Sequence, residues 1–253
     1  MQDLAHVNGG GLIFAVLVGF GIAGCGEQAA YQQRVVMLSA ESCFDVRFSG
    51  NVSATLNFDV SPQLVLTKSS EVPESVVELK TDGKLNVRST VPVEVKLSCP
   101  EFGALQLLGD SRVKIDSSKP VYIQRIAAYG DAQIALQSLE MDELEVRASG
   151  DSQIALEQVS TDQLSMFVAG NAAVFVTGES SRTAIQASGG AELDAGGLRS
   201  QWVTITARGQ AQIAVDASAH LAGELSGSAA VVYSGSPDLS INAKDAATLS
   251  AKD

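Results

Sequence analysis

The chain has 253 residues, with 17 basic against 29 acidic side chains and a formal charge of −12. That balance excludes a protein built to grip nucleic acid or to dock electrostatically on anionic lipid, since both need basic patches. Aromatic residues are scarce and 23 glycines are present, which suits a chain of tight turns.

Residues 9–24, GGGLIFAVLVGFGIAG, form one apolar run that ends at Cys25. The run is shorter than the about 20 residues a spanning helix needs and has the length of a signal-peptide apolar region. Ile22-Ala23-Gly24-Cys25 resembles a bacterial lipobox, whose cysteine becomes the lipidated N-terminus after cleavage. The reading is a lipoprotein-type signal over 1–24, lipidation at Cys25 and a tether over 25–42, so that the chain is held on a membrane by its N-terminal lipid. The first ten residues, MQDLAHVNGG, lack Lys and Arg. An uncleaved anchor and an ordinary buried segment therefore stand as competing readings. Gly26, not Asp, follows the cysteine, which resembles sorting to an outer membrane. An exported envelope protein is the expectation.

A domain is expected over 43–253. It begins with CFDVRFSGNVSATL (Cys43–Leu56), in which Val46 and Phe48 precede Gly50 and Val52, Ala54 and Leu56 follow it at alternate positions. Between Asp59 and Pro100 strand-like alternations continue without a fixed period, and Thr81-Asp82-Gly83-Lys84 reads as a hairpin turn. This irregular region is expected to cap the N-terminal end of whatever follows, because an open β end exposes apolar core and an unpaired edge. With Cys25 taken by lipid, Cys43 and Cys99 remain as an even pair in an oxidising compartment. They are a candidate disulfide, with two buried thiols as the alternative.

From Leu105 onward one unit recurs about every 20 residues: LQLLGDSRVKI, IAAYGDAQIAL, VRASGDSQIAL, MFVAGNAAVFV, IQASGGAELDA, ITARGQAQIAV and GELSGSAAVVY. The glycines are Gly109, Gly130, Gly150, Gly170, Gly189, Gly209 and Gly227. Apolar residues alternate on both sides of each glycine, so each unit holds two half-buried strands. The residue two after the glycine is always small (Ser111, Ala132, Ser152, Ala172, Ala191, Ala211, Ala229), as at a corner where backbone crowds backbone. Leu139, Val159 and Leu198 add an apolar position on a short third side. The fold class is all-β, a parallel β-helix of about 20 residues per coil with an irregular N-terminal β cap. A meandering sandwich or barrel is the alternative. Near the end Asp245 stands where a glycine was expected, and with Lys244 it reads as charge that blunts a terminal edge. No translocator barrel is expected after it.

The chemistry-bearing residues are few. His220 is the one histidine outside the signal and has no motif partner nearby, so it reads as a surface histidine. Asp110, Asp131 and Asp151, continued by Asn171, would stack as a ladder at one corner. Gly-Asp and Gly-Asn favour tight turns, and turn chemistry is preferred there to a cation site. Gln133, Gln153 and Gln212 face outward and support stacking. No metal-ligand spacing, catalytic constellation or cofactor motif is present, and a non-enzymatic protein is expected. Around Gly170 the outward positions are apolar: Phe167, Ala169, Ala173 and Phe175, with Ala135, Ala155, Ala214 and Val232 at the position of Phe175 and Ala127 at that of Phe167. An outward apolar stripe marks a candidate contact surface. A covering loop or a register shift that turns these side chains inward are the competing readings.

Phe44–Gly50 (F-x-V-x-F-x-G), Asp82–Val87 (D-G-K-L-N-V), the serial A-S-G-D-S-Q-I-A-L units and Val231–Pro237 (V-V-Y-S-G-S-P) together resemble the bacterial "putative auto-transporter adhesin, head GIN domain" family over about residues 43–253. The resemblance implies a right-handed parallel β-helix, often exported or lipid-anchored, with no catalytic residues to carry over. The functional expectation is an extended surface that binds an unidentified protein or glycan. The rivals are a structural periplasmic lipoprotein and a polysaccharide-active enzyme.

Overall fold

The computed structural model describes residues 15–18, 31–38, 44–58, 61–69, 77–81, 84–115 and 120–252, with side chains described for all but 15–18 and 77–81. The strands are β1 (Ala15–Val18), β2 (Tyr31–Met37), β3 (Asp45–Phe58), β4 (Gln63–Ser69), β5 (Val77–Thr81), β6 (Leu85–Cys99), β7 (Ala104–Leu108), β8 (Arg112–Ile115) and β9 (Arg125–Gly130). They continue as β10 (Gln133–Gln137), β11 (Glu140–Gly150), β12 (Gln153–Gly170), β13 (Ala173–Gly189), β14 (Glu192–Gly209), β15 (Gln212–Leu225), β16 (Ala230–Ser234), β17 (Asp238–Ala243) and β18 (Thr248–Ala251). The described residues contain no helix long and apolar enough to cross a membrane.

From β7 onward every pairing is parallel, and each unit stacks on the one before. The fold is a parallel β-solenoid. Ile126, Val146, Met166, Ile185 and Ile205 lie over one another, as do Ile134, Ile154, Val174, Leu193 and Ile213. All ten are buried, so each column is a continuous apolar rod shared between coils. No single coil encloses a core of its own; it gains one only from its neighbours.

The repeated glycine makes the corner. Gly150 has φ +82°, a conformation L side chains avoid, and a Cβ there would sit 3.0 Å from the carbonyl oxygen of Gly130 beneath it. The small residue two positions on is fully buried in all seven coils. Where it is serine the hydroxyl is satisfied: Ser111 Oγ donates to the Gly50 and Leu108 carbonyls, and Ser152 Oγ to the Ala128 carbonyl. Leu139, Val159 and Leu198 are buried on the third side as expected. Val159 and Leu198 flank Gly178 in the ladder, where a Cβ would lie 2.0 Å from the Val159 carbonyl oxygen.

The N-terminal end is built differently. β3 is the first coil, and it lies between β6 on one side and β7 with β8 on the other, all parallel. The outer edge of β6 is then covered by antiparallel strands: β5 along its first half and β4 along its second. β4 in turn pairs with β2, and β2 with β1. The expected cap is therefore present, but the chain makes it after its first coil. Thr81 pairs with Leu85, consistent with the hairpin read from Thr81–Lys84, whose Asp82 and Gly83 lie outside the described residues. Cys99 is buried and disulfide-bonded; its expected partner Cys43 and the lipidation candidate Cys25 lie outside the described residues.

Candidate binding surface

Alternation that puts Ile, Val and Leu inward puts the intervening side chains outward in two columns after each corner. One column runs Glu94, Ser53, Arg112, Gln133, Gln153, Ala173, Glu192. The other runs Lys96, Thr55, Lys114, Ala135, Ala155, Phe175, Asp194. Together they line a shallow trough of about 880 Å³ across the face. Six ladder steps at about 4.8 Å give it a length of roughly 29 Å.

The trough has a graded lining. Its middle floor is made of the small side chains of Ala135, Ala155 and Ala173. Phe175 rises beside that floor with 41% of its surface exposed, so the outward position read from sequence is the observed one. Arg112, Lys114 and Lys96 gather toward the N-terminal end, where the Arg112 guanidinium donates to Gln133 Oε1 at 3.2 Å. Glu192 and Asp194 close the opposite end, and Asp194 accepts a hydrogen bond from the Gly196 N–H at 3.0 Å.

Three parts of the expected stripe are corrected by the structure. Phe167 does not share a surface with Phe175: it lies before the Gly170 corner and Phe175 after it, so the two rings serve different grooves. Phe167 is also covered on one side, since the Arg147 guanidinium lies 4.4 Å from its ring centre. Glu145 forms an ion pair and hydrogen bond with Arg147, raising the Arg147 pKa from an already high value. Ala214 and Val232 do stand in the Phe175 column, but Asp194 intervenes and breaks the apolar stripe. Ala127, expected outward like Phe167, is only 4% exposed. It sits between Gln106 and Arg147 in its column, where a methyl is overshadowed by longer neighbours.

The corner ladder of Asp110, Asp131, Asp151 and Asn171 is exposed, and Asn171 Nδ2 donates to Asp151 Oδ1 at 3.0 Å. No group of metal-ligating side chains occurs among the described residues. His220 is half-buried, not simply on the surface, and its ring lies 5.5 Å from that of Trp202 in the ladder below. Trp202 is 51% exposed, and no repeat or motif in the sequence marks it. Register shifts in β14 and β15 place it opposite His220, and no fixed offset from the glycines reveals that pairing.

A family model described as "Putative auto-transporter adhesin, head GIN domain" matches residues 44–237. Among solved structures, a putative adhesin from Parabacteroides merdae superposes with a TM-score of 0.80 at 15% identity, covering 88% of this chain and 96% of its own. A putative adhesin from Parabacteroides distasonis gives 0.76 at 13%, covering 88% of this chain and 98% of its own. A putative lipid binding protein from the same species gives 0.73 at 18%, covering 88% and 97%. At these identities the likeness is one of fold. No curated protein sequence matches the chain.

Proposed function

The chain belongs to the putative auto-transporter adhesin, head GIN domain family, and from that premise we propose an exported, lipid-anchored, non-enzymatic binding protein displayed on the outside of the cell. Its trough takes an extended glycan that carries acidic groups. The observation that carries this reading is the lining itself. A small-residue floor lets a chain lie close to the sheet, Phe175 offers an apolar platform for a sugar face, and Gln133 and Gln153 offer amides for its hydroxyls. Arg112, Lys114 and Lys96 suit carboxylate or sulfate groups at one end. A groove roughly 29 Å long matches a polymer better than a compact metabolite.

The adhesin label of the family supports an envelope location, and Ile22–Cys25 supports anchorage by lipid. The non-enzymatic reading is supported by where the titratable groups stand. His220, the one described histidine, lies in the Trp202 ladder and outside the trough lining. Of the lining carboxylates, Glu94 stands at one end and Glu192 with Asp194 at the other, where Asp194 is held by the Gly196 N–H.

The test is retention of the full-length protein on immobilised acidic polysaccharides. Wild type is expected to bind, with affinity falling as salt rises. Phe175→Ser and Ala155→Arg, which remove the platform and fill the floor, are expected to abolish binding with unchanged melting temperatures. Equal binding by both variants would mean that the trough is not the binding site, and binding to proteins alone would replace the glycan with a protein partner.

A further inference from the structure

The last coil carries apolar side chains that nothing among the described residues covers. Leu239 is 48% exposed, whereas Leu221 directly beneath it is fully buried. Ile241 and Leu249 continue the inward columns above Gly223 and Val231 and are only partly buried. β17 pairs with β15 and β18 with β16, and the other edge of each has no partner strand among the described residues. The opposite end of the solenoid is closed by β4 and β5.

The direction of the backbone groups on that edge is fixed. The N–H of Lys244 donates down to Leu225, that of Thr248 to Ala229 and that of Lys252 to Tyr233. Even-numbered residues of this coil therefore face the body. Leu239, Ile241 and Ala243 in β17, with Leu249 and Ala251 in β18, point their N–H and C=O groups out of the end, whereas the Ala247 N–H is taken by the Lys244 carbonyl in the corner turn at 3.2 Å. These five, with Ala247, are also the residues with inward side chains.

The segment is self-complementary about Asp245, which sits at the corner with φ +61° and accepts a hydrogen bond from the Gly227 N–H. Reading outward from it, Ala243 mirrors Ala247, Ile241 mirrors Leu249, and Leu239 mirrors Ala251. On the solvent side Asn242 mirrors Thr248, Ser240 mirrors Ser250, and Asp238 mirrors Lys252. A two-fold axis through the corner, perpendicular to the solenoid, lays β17 of one chain antiparallel on β18 of another. In that register Leu239 with Ala251 and Ile241 with Leu249 are hydrogen-bonded pairs, every inward pair is apolar, and Asp238 meets the opposite charge of Lys252.

We propose that this coil is a homodimer interface, in which two copies of the chain join end to end as one continuous β-solenoid through β17–β18 pairing in both directions. Such an isologous contact closes on itself, so it does not propagate into a fibre. It also removes the exposed edge that the coil otherwise presents.

Cysteine cross-linking of the full-length chain tests the register. Ser240 and Ser250 point to solvent and form a non-hydrogen-bonded pair across the interface, with Cα atoms about 4.5 Å apart, inside the range of a disulfide. Ser240→Cys/Ser250→Cys is expected to give a disulfide-linked dimer on mild oxidation, and each single variant is expected to remain at the monomer mass. Asp238→Lys is expected to weaken self-association by roughly tenfold, and Asp238→Lys/Lys252→Asp to restore it. Ile241→Pro is expected to give a folded monomer, because its N–H points away from the body. A double cysteine variant that stays monomeric, or single variants that cross-link as fully as the double, would overturn the proposal.

Discussion

Ser111 Oγ lies 3.0 Å from the carbonyl oxygen of Gly50, although the two are 61 residues apart. The contact records how the N-terminal end is assembled. The chain completes one coil in β3, leaves it to build β4, β5 and β6, and returns to stack β7 and β8 on the first coil's other side. Gly50 is pinned from both directions: a Cβ on it would lie 2.0 Å from the Ser89 carbonyl oxygen, and its φ is +82°. Gly50→Ala should therefore destabilise the protein by about 3 kcal/mol or more. Gly190→Ala is the control, since its nearest neighbour is the end of the Asn171 side chain at 3.2 Å, and it should change stability by about 0.5 kcal/mol or less. Denaturant unfolding of the two variants measures the contrast.

A second prediction concerns a polar pair within the otherwise apolar columns. Thr183 occupies the column of Leu164 and Val203, and its hydroxyl meets the Ser200 hydroxyl at 2.8 Å with both residues buried. Removing one partner strands the other in an apolar setting, at a cost of about 1–3 kcal/mol. Thr183→Val or Ser200→Ala alone should each be destabilising in this range, and the double variant should recover most of the loss. A double-mutant cycle by thermal or denaturant unfolding reads the coupling.

The two phenylalanines flanking Gly170 should separate functionally. Phe175→Ser is expected to abolish glycan retention. Phe167→Ser, on the other side of the corner beneath Arg147, is expected to leave retention intact and cost about 0.5–1 kcal/mol of stability. Parallel binding and melting measurements on the two variants check this. Equal loss of binding by both would mean that the partner wraps the corner.

Cysteine pairing gives a fourth. Cys99 is disulfide-bonded, and Cys43 is the partner we expect with Cys25 engaged by lipid. Peptide mapping without reduction should recover a Cys43–Cys99 link, and Cys99→Ser should lower stability by about 2–5 kcal/mol. A Cys25–Cys99 link would contradict both the pairing and the lipidation.

The coils were legible in the sequence because one constraint repeats. A left-handed corner needs glycine, its crowded interior needs Ala or Ser, and alternation then assigns every flanking residue to one side, from Ile126 through Val231. Phe175 and its alanine floor were readable for the same reason. Three things were not. Stacking of Gly109 on Gly50 depends on where a chain returns after an aperiodic excursion. The separation of Phe167 from Phe175 depends on the corner between them, because outward residues on opposite sides of the glycine face different surfaces. The meeting of Trp202 with His220 depends on register shifts near Ala195–Arg199 and Ser200–Trp202 that no fixed period encodes.

Display on the cell exterior is the claim on which the binding function rests, and protease shaving of intact cells tests it most directly, with Cys25→Ala as the anchorage control. The solenoid is expected to be removed from wild-type cells while a periplasmic marker survives, and the control chain to be absent from the surface. Protection of the wild-type domain until the outer membrane is opened would contradict it.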